Sequence, residues 1–426
     1  MKVVIMAGGK GTRITSVASD IPKPMIKIDD KPVLEHEIDC LRKQGFKDII
    51  ITVSHLGSII MDYFGDGKKF GVNIKYFNEK EPLGNAGALF KIKDELTEDF
   101  LLLNADAIFD IDFNRFVDFH KKKGGLVTLF THPNSHPYDS GLIITDSNDS
   151  VLKWLSKEDD RPLNYKNLVN AGLHVISPKI LEKNIDTPKI DLDRQLLKPL
   201  AGTGLMYSYK SSEYVKDMGT PDRFYAVSKD FKEGRVKAKN LANKQKAIFL
   251  DRDGTINKSV GFLTNIDDFV LEDGAAEAIK KINNSGYLAI VITNQPVIAR
   301  GEVSLDELDE IHNKMERLLG AEGAYLDAIY YCPHHPDKGF VGERIEYKIV
   351  CDCRKPKPGM ILNAAKDYNI DLEKSWMIGD FKNDVLCGKN AGCKTALINQ
   401  DLKNDVDADI IGLNLLECVN KVLGEE

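Results

Sequence analysis

Lys246–Asn257 reads Lys-Ala-Ile-Phe-Leu-Asp-Arg-Asp-Gly-Thr-Ile-Asn, and it sets the architecture of the second half of the chain. The apolar run Ala247–Leu250 is too short for a helix and ends in acids, which predicts a buried parallel strand. Open α/β sheets keep their chemistry at the carboxyl ends of such strands. Because Gly254 permits a turn, we expect Asp251 and Asp253 to stay beside one crevice. An Asp-Gly turn with solvated acids is the alternative for this stretch alone.

Two further apolar runs in this half also stop at polar side chains. Tyr287–Ile292 precedes Thr293 and Asn294, whose hydroxyl and amide groups can bind a phosphoryl oxygen beside Asp251. Trp376–Gly379 precedes Asp380, which is predicted to be a magnesium ligand because hard cations prefer oxygen donors. The second half therefore reads as a Rossmann-like sheet with its polar groups at one edge.

Three of the seven cysteines lie in two short motifs, Cys332-Pro333-His334-His335 and Cys351-Asp352-Cys353. Thiolate and imidazole donors across an intervening loop favour tetrahedral zinc, and four protein ligands make such a site structural. We expect Cys332, His334, Cys351 and Cys353 to be the ligands, with His335 as the reserve imidazole. Scattered buried cysteines are the alternative.

The motifs of the second half together resemble a known family over roughly residues 246–426. They are Asp251-x-Asp253-Gly-Thr, Thr293-Asn-Gln, Lys355 and Gly379-Asp380-x-x-x-Asp384. This set resembles the haloacid dehalogenase-like phosphatases. With Cys-x-His and Cys-x-Cys-Arg-Lys-Pro added, it resembles the D-glycero-D-manno-heptose 1,7-bisphosphate phosphatases, and less closely the histidinol-phosphate phosphatases. The sequence departs from the family at Gln295-Pro296-Val297, where Ser-Gly is usual.

The resemblance implies roles for single residues. Asp251 is the expected nucleophile that forms an aspartyl-phosphate, and Asp253 the expected general acid and then base. Burial and neighbouring acids are expected to favour protonated Asp253. The expected phosphoryl and substrate contacts are Thr293, Asn294, Arg354 and Lys355, and the expected magnesium ligands are Asp251, Asp253 and Asp380.

The first half opens with a short apolar strand, Lys2–Ala7, followed by Gly8-Gly9-Lys10-Gly11-Thr12-Arg13. In such a loop, backbone N–H groups can approach a phosphate, and Arg13 supplies a permanent positive charge. In Ile21-Pro22-Lys23-Pro24-Met25, two prolines stiffen the backbone around Lys23, which suits a second phosphate contact. A tight turn and a solvated lysine are the alternatives for these two segments.

Later segments continue an alternation of strands and helices, with Asp48–Val53 as the next predicted strand. Glu81-Pro82-Leu83-Gly84-Asn85-Ala86-Gly87-Ala88 is a second glycine-bearing loop at a helix start, suited to close approach by a flat ligand. The apolar run Phe100–Leu103 stops at Asn104-Ala105-Asp106, which places a carboxylate at a strand end as expected for a magnesium ligand.

These motifs, together with Asn170-Ala171-Gly172 and Asp217-Met218-Gly219-Thr220-Pro221, resemble the sugar-1-phosphate nucleotidylyltransferase family over roughly residues 1–230. More narrowly, they resemble the mannose-1-phosphate and heptose-1-phosphate guanylyltransferases. The family implies a mixed α/β fold in which the first loop (Gly8, Gly9, Gly11 and Thr12) wraps the triphosphate and the Leu83–Gly87 loop receives the base.

The same resemblance implies that Asp106 and Asp217 hold magnesium and that Arg13 and Lys23 steady the phosphates. The expected substrate contacts also include Glu81, Gly84, Asn104, Gly141, Lys157 and Asn170. One departure affects the sugar contacts, because the usual Glu-Lys-Pro is replaced by Ser156-Lys157-Glu158.

Length and composition agree with two domains in 426 residues. We predict a transferase domain over 1–231, a solvated linker over 232–245 and a phosphatase domain over 246–426. The net charge of −7 argues against a general nucleic-acid binder. No apolar run is long enough for a bilayer and the chain enters a strand at once, so we expect no membrane association and a cytoplasmic protein.

Taken together, the two resemblances describe successive steps on one sugar. We expect a bifunctional enzyme that removes the 7-phosphate of heptose 1,7-bisphosphate and couples heptose 1-phosphate to GMP from GTP, with Mg²⁺ in both domains and structural Zn²⁺ in the second. The alternatives are another sugar 1-phosphate or nucleotide, a phosphatase for another ester such as histidinol phosphate, and a half that only senses a ligand. The sequence leaves open whether the chain forms a homo-oligomer.

Overall fold

The computed structural model describes residues 1–9, 21–183, 187, 189–339, 341–399 and 406–425. The chain forms two compact units. The first comprises Met1–His132, Ile143–Leu155 and Asn170–Ala242, and the second comprises Pro133–Leu142, Ser156–Val169 and Asn243–Glu426. The described helices include none whose length and hydropathy would let it cross a lipid bilayer.

The first half of the chain supplies thirteen of the described strands and six of the described helices. The strands are β1 (Val3–Met6), β2 (Lys27–Ile28), β3 (Lys31–Pro32), β4 (Asp48–Val53), β5 (Asn73–Asn78), β6 (Phe100–Asn104), β7 (Ala107–Asp110), β8 (Val127–His132), β9 (Leu142–Thr145), β10 (Val151–Leu155), β11 (Val169–Ile176), β12 (Met206–Lys210) and β13 (Tyr214–Asp217). The helices are α1 (Val33–Lys43), α2 (Gly57–Phe64), α3 (Gly87–Lys91), α4 (Phe113–Lys123), α5 (Pro221–Lys232) and α6 (Arg235–Ala238).

A mixed sheet forms the centre of the first unit, in the order β10-β9-β11-β6-β1-β4-β5, with β8 beside β11 and β12 beside β8. The strands β6, β1, β4 and β5 run parallel, and β11 is antiparallel to β6. The inner strands β6, β1 and β4 read as largely apolar runs because both of their faces are buried. The mixed α/β fold expected from the sequence is confirmed.

Strand register brings the polar ends of the first unit together. Met6 of β1 lies opposite Asn104 of β6. The two-stranded ribbon β7–β13 pairs Ala107 with Asp217, and the Met218 N–H donates to the Asp106 carbonyl at 3.0 Å. Asp106 and Asp217 are therefore neighbours across this ribbon.

The second unit contains a six-stranded parallel sheet in the order β16-β15-β14-β17-β18-β19. Its strands are β14 (Lys246–Leu250), β15 (Tyr287–Asn294), β16 (Ala328–Cys332), β17 (Trp376–Gly379), β18 (Lys394–Ile398) and β19 (Ile410–Gly412). Its helices are α7 (Ala275–Ser285), α8 (Leu305–Ala321), α9 (Gly359–Asp367), α10 (Lys382–Ala391) and α11 (Leu415–Leu423). The predicted parallel sheet is thus observed, and β14 lies at its centre with β15 and β17 on either side.

Two segments from the first half of the chain pack on α8 within the second unit. The backbone N–H of Asn167 donates to Glu316 Oε2 at 3.0 Å, and Arg317 Nε donates to Asn164 Oδ1 at 3.1 Å. At Gly320 an added Cβ would lie 2.7 Å from the Pro137 ring, so α8 and this ring are in close contact. Polar loops of this kind carry no periodic pattern, so this packing could not be predicted from the sequence.

The segment 232–245 is packed rather than fully solvated. It contains α6, whose Val236 joins a buried cluster with Val227 and Tyr214. Leu241 is also buried, and its N–H donates to the buried carboxylate of Glu213 at 2.9 Å. The solvated linker expected from its lysine-rich composition is wrong on this point, because two apolar residues anchor the segment.

Candidate active sites and metal centre

The carboxyl edge of the parallel strands in the first unit borders a cavity of about 930 Å³. The predicted substrate and metal residues that line it are Gly8, Gly9, Lys23, Glu81, Gly84, Asn104 and Asp106. Ser54, His55 and Glu79 line it as well, and no sequence motif pointed to them. Gly11, Thr12 and Arg13 lie outside the described residues.

Lys23 is held at the cavity wall by a short 3₁₀ helix, Lys23–Met25, that follows Pro22. Its Nζ lies 2.8 Å from Asp106 Oδ2. Asp217 pairs with a different cation, Arg223, whose Nη1 lies 2.7 Å from its Oδ2. Burial raises the pKa of Asp217, but Arg223, the Gly219 N–H and Lys23 together outweigh it, so the pKa of this carboxyl is lowered.

The predicted base loop is fixed by a segment more than one hundred residues further along the chain. Ile190 N–H donates to the Leu83 carbonyl at 2.8 Å, and Ala86 N–H donates to the Ile190 carbonyl at 3.0 Å. Between them Gly84 has a φ of 80°, and an added Cβ would lie 2.3 Å from the Ile190 oxygen. Both the left-handed backbone and this close approach require glycine at position 84.

The remaining predicted contacts of the first half lie elsewhere. Asn170 Oδ1 accepts from the Gly172 N–H at 3.2 Å, and Gly172 lies close to the Asn104 amide. Gly141 and Lys157 belong to segments of the second unit and do not line the cavity. Lys157 Nζ lies 3.5 Å from Asp139, and both side chains are more than half exposed.

In the second unit, Asp251, Asp380 and Asp384 offer carboxylate oxygens that all lie within 4.8 Å of one another. Lys355 Nζ lies 2.6 Å from Asp251 Oδ1 and 2.6 Å from Asp384 Oδ1. Burial and the charge of Asp384 raise the pKa of Asp251 to about 7 and that of Asp380 to about 6, although Lys355 opposes both shifts. One lysine therefore does not balance the three acids, and an all-oxygen cluster with excess negative charge suits a hard cation.

Gly254 allows this cluster to form. It has a φ of 79°, and an added Cβ would lie 2.2 Å from Asp380 Oδ2. Glycine is therefore required both for the turn after Asp253 and for the approach of Asp380 to β14. Asp253, one of the three expected magnesium ligands, is not in this group of carboxylates, and Asp384 is in it instead. The sequence motif contains Asp384 but did not single it out as a ligand, although its spacing from Asp380 is a usable signal.

Asp253 is surrounded by donors. Its carboxylate accepts from Arg252 Nη2 at 2.9 Å, from Gln295 Nε2 at 2.8 Å and from Asn257 Nδ2 at 3.0 Å. Burial raises the pKa of Asp253, but these three groups outweigh it and the pKa is lowered. The expectation that burial and neighbouring acids favour the protonated form is therefore wrong for this arrangement, because the sequence did not reveal the three donors.

The predicted phosphate contacts lie beside these acids. Thr293 is almost fully buried, and its hydroxyl accepts from Gln295 Nε2 at 2.9 Å. Asn294 exchanges two hydrogen bonds with the backbone of Lys355, at 3.0 Å and 3.1 Å. The Asn294 amide thus fixes the backbone from which Lys355 reaches the cluster. Both residues lie within β15, which extends two residues beyond the predicted strand.

Cys332, His334, Cys351 and Cys353 offer four ligand atoms that all lie within 4.8 Å of one another. Cys353 Sγ lies 3.2 Å from each of the other two sulfurs and 3.3 Å from His334 Nδ1. Hydrogen bonds from Cys332, Cys351 and His334 lower the pKa of Cys353 to about 5, which favours the thiolate that binds metals. His335 instead lies 3.8 Å from Asp337.

The other four cysteines are buried and isolated from this cluster: Cys40, Cys387, Cys393 and Cys418. Next to the cluster, Arg354 Nη1 donates to the His334 carbonyl at 3.2 Å. The predicted substrate-reading arginine is therefore tied to the backbone of one of the four ligand residues.

Comparison with known proteins assigns the two halves of the sequence to two different families. The chain matches the nucleotidyl transferase family over residues 2–234 and the HAD-hydrolase-like family over residues 352–411. It is 47% identical over 155 residues to a D-glycero-β-D-manno-heptose-1,7-bisphosphate 7-phosphatase of Pasteurella multocida, covering 36% of this chain and 81% of that protein.

Two comparisons concern the first half. A UTP–glucose-1-phosphate uridylyltransferase of Synechocystis is 33% identical over 244 residues, covering 53% of this chain and 62% of that protein. The crystal structure of HddC from Yersinia pseudotuberculosis is 26% identical with a TM-score of 0.47, covering 54% of this chain and 99% of that one. The chain therefore belongs to the nucleotidyl transferase family through residues 2–234 and, through its C-terminal part, to the family of heptose-1,7-bisphosphate 7-phosphatases.

Proposed function

We propose that the chain is a bifunctional enzyme of heptose activation. Its second unit removes the 7-phosphate of D-glycero-D-manno-heptose 1,7-bisphosphate, and its first unit transfers GMP from GTP to the resulting heptose 1-phosphate, giving GDP-heptose and pyrophosphate. The observation that carries the proposal is the cluster of Asp251, Asp380, Asp384 and Lys355 in a part of the chain whose relatives are named for this hydrolysis.

In the phosphatase reaction, Asp251 attacks the phosphorus of the 7-phosphate, and the bond from phosphorus to the sugar oxygen breaks. That oxygen takes a proton from Asp253. Water then attacks the aspartyl-phosphate, gives a proton back to Asp253 and releases inorganic phosphate and Asp251. The three donors favour the ionised form of Asp253, whereas the negative charge of a bound phosphate raises its pKa. Substrate binding therefore favours the protonated form of Asp253 that acts as the acid.

Mg²⁺ is the proposed cofactor of this reaction, and Asp251, Asp380 and Asp384 are the residues that would hold it. Their all-oxygen donor set and the raised pKa values of Asp251 and Asp380 fit a hard divalent cation. When bound, the ion offsets the repulsion between the phosphate and the attacking carboxylate. Lys355 supplies further positive charge at Asp251.

In the transferase reaction, an oxygen of the sugar phosphate attacks the α-phosphorus of GTP, and pyrophosphate leaves. The protein needs no nucleophile, because positioning and charge neutralisation lower the barrier. Lys23 and Arg13 are the proposed phosphate contacts, and Asp106 and Asp217 are the residues that would hold Mg²⁺. The cavity beside Gly8, Gly84 and Asp106 supports this assignment.

Structural Zn²⁺ is the proposed occupant of the Cys332, His334, Cys351 and Cys353 cluster, because sulfur and nitrogen donors in fourfold arrangement suit it. Arg354 hydrogen-bonds to the His334 carbonyl. The loop that would hold the ion therefore also sets the position from which Arg354 contacts the sugar bisphosphate.

The proposal is tested by supplying the enzyme with heptose 1,7-bisphosphate, GTP and Mg²⁺ and following phosphate, pyrophosphate and nucleotide-sugar by mass spectrometry. We expect release of the 7-phosphate before GDP-heptose appears. A panel of sugar 1-phosphates against the four nucleoside triphosphates provides the comparison. Preference for glucose 1-phosphate with UTP, the reaction named for the Synechocystis relative, would contradict the transferase assignment.

A further inference from the structure

Arg252 is the largest fully buried side chain among the described residues. It lies in sequence between Asp251 and Asp253, at the end of β14. A buried guanidinium is costly unless its donors are paired, so its partners indicate its role.

Every nitrogen at the tip of Arg252 has a polar partner. Nη2 donates to Asp253 Oδ1 at 3.0 Å and to Oδ2 at 2.9 Å, and Nε lies 3.3 Å from Oδ1. Nη2 also donates to Gln295 Oε1 at 3.0 Å. Nη1 lies 3.3 Å from His312 Nε2, and since a guanidinium can only donate, this ring nitrogen is the acceptor.

Gln295 hydrogen-bonds to both Arg252 and Asp253, and the three side chains form a closed ring of hydrogen bonds. Its oxygen accepts from Arg252, and its Nε2 donates to Asp253 Oδ2 at 2.8 Å and to the Thr293 hydroxyl at 2.9 Å. His312 supports the far side of Arg252 from α8 and is itself 6% exposed. The carboxylate of Asp253 is thus held from two directions by groups that are fixed in turn.

We propose that Arg252, supported by Gln295 and His312, is a positioning residue that orients the Asp253 carboxylate for proton transfer to the leaving sugar oxygen. Its exposed fraction is 0%, so it acts through Asp253 and does not touch the substrate. The inference rests on the proposed phosphatase reaction. The competing possibility is a purely structural role, in which Arg252 only stabilises the turn.

The two roles differ in their dependence on the leaving group. A sugar alkoxide needs a proton as it leaves, whereas p-nitrophenolate is a weak base and leaves without one. General acid catalysis contributes about 10²–10⁴-fold, so we expect Arg252→Met to lower kcat on heptose 1,7-bisphosphate about 100-fold with little change in KM. On p-nitrophenyl phosphate we expect the first step, measured as the pre-steady-state release of p-nitrophenolate, to slow by less than about 5-fold, because only the later hydrolysis of the aspartyl-phosphate uses Asp253 there. Equal losses in the first step on both esters would overturn the positioning role.

A double-mutant comparison tests whether Arg252 acts through Asp253. In an Asp253→Asn background, Arg252→Met should lower turnover of the sugar ester by less than about 3-fold, because the acid it positions is already lost. If the double variant instead lost turnover by the product of the two single losses, Arg252 would act independently of Asp253, and the inference would be overturned. Arg252→Lys keeps the positive charge but lacks the planar set of guanidinium donors. It should recover part of the sugar-ester turnover that Arg252→Met loses.

Gln295→Met provides a second variant if Arg252→Met fails to fold. It removes the hydrogen bonds of Gln295 to Arg252, Asp253 and the Thr293 hydroxyl while leaving Arg252 in place, and it should lower sugar-ester turnover about 10-fold with the same sparing of p-nitrophenyl phosphate. Equal effects on the two esters would again refute the role. A wild-type enzyme inactive on both esters would refute the phosphatase assignment itself, whereas activity on both with equal losses in the variants refutes the positioning role alone.

Discussion

In the first unit, the two acids predicted to hold magnesium each pair with a cation of their own, Asp106 with Lys23 and Asp217 with Arg223. In the second unit, three clustered acids share Lys355. Among the described residues, both groups of three or more His, Cys, Asp or Glu side chains that could hold a metal lie in the second unit.

This difference predicts whether each unit binds a metal ion with or without its substrate. A metal ion in the first unit has to compete with Lys23 and Arg223, so we expect it to enter together with the nucleotide phosphates that draw these side chains away. In the second unit, burial and, after it, the charge of Asp384 raise the pKa values of Asp251 and Asp380, and a cation would stabilise the ionised form of both acids. We therefore expect the second unit to bind Mg²⁺ without substrate.

Asp251→Asn is the strongest test of two independent sites. It removes the proposed nucleophile, so phosphate release should fall by more than about 10⁴-fold. Pyrophosphate release should stay within about 2-fold of the wild type, because no step of that reaction uses Asp251. Parallel assays of the two products with Asp407→Asn, an exposed acid, as control would check this. Loss of both activities would mean that the sites are not separate.

Cys332→Ser tests the cluster of Cys332, His334, Cys351 and Cys353. The described residues of the first unit contain no cluster of this kind. Because metal loss removes a tetrahedral cross-link, we expect zinc content to drop and the free energy of unfolding of the second unit to fall by about 4 kcal/mol. Elemental analysis and denaturant titration measure the two effects. Cys393→Ala, at a buried cysteine outside the cluster, should keep zinc and cost only about 1 kcal/mol. Equal destabilisation by both variants would argue against a metal cross-link.

Lys23→Met tests the paired acids of the first unit. Removing this phosphate contact should lower nucleotidyl transfer about 100-fold, or about 2.7 kcal/mol, with phosphate release unchanged. Lys27→Met, at an exposed lysine four residues away, is the matched control for loss of charge. Initial rates of pyrophosphate release compare the variants. A Lys23→Met enzyme with wild-type transfer would remove Lys23 from the proposed site.

Glu213 of the first unit is a buried acid that belongs to no metal-binding cluster among the described residues. Burial raises the pKa of Glu213 from 4.5 to about 7, although the N–H groups of Leu241 and Asp112 and the Ser211 hydroxyl oppose the shift. Below pH 4.5 the carboxyl is protonated in both states, and above about 7 it is ionised in both. Between these values only the unfolded chain is ionised, so stability falls as pH rises.

Glu213→Gln should remove this dependence. The amide oxygen can accept from the same backbone donors, and the side chain no longer titrates. We expect the free energy of unfolding of the first unit to decline by about 2 kcal/mol less between about pH 4.5 and pH 7 than in the wild type. Urea titrations across this range measure the difference. Parallel pH slopes in the two proteins would show that Glu213 is ionised when folded.

Much of the fold could be predicted because buried parallel strands read as short apolar runs with polar ends. The predicted strands Asp48–Val53 and Trp376–Gly379 have the observed bounds. The approach of Asp380 to Asp251 followed from placing both at the carboxyl ends of neighbouring strands. The four metal-ligand residues were predictable because sulfur and imidazole donors so closely spaced in two short motifs are typical of a zinc site.

The polar surroundings of the acids could not be predicted in the same way. Asp253 receives one donor from its sequence neighbour Arg252 and another from Gln295, which is 42 positions away. Such pairing depends on how loops meet in three dimensions, and no periodicity encodes it. For the same reason the sequence did not indicate that Ile190 fixes the Leu83 loop.

Because Pro133–Leu142 and Ser156–Val169 fold with α8, the chain has no single peptide bond at which it divides into its two units. A fragment that begins at Asn243 would keep α8 but lose the segments that cover Glu316 and Gly320. Point substitutions are therefore the cleaner way to silence one reaction.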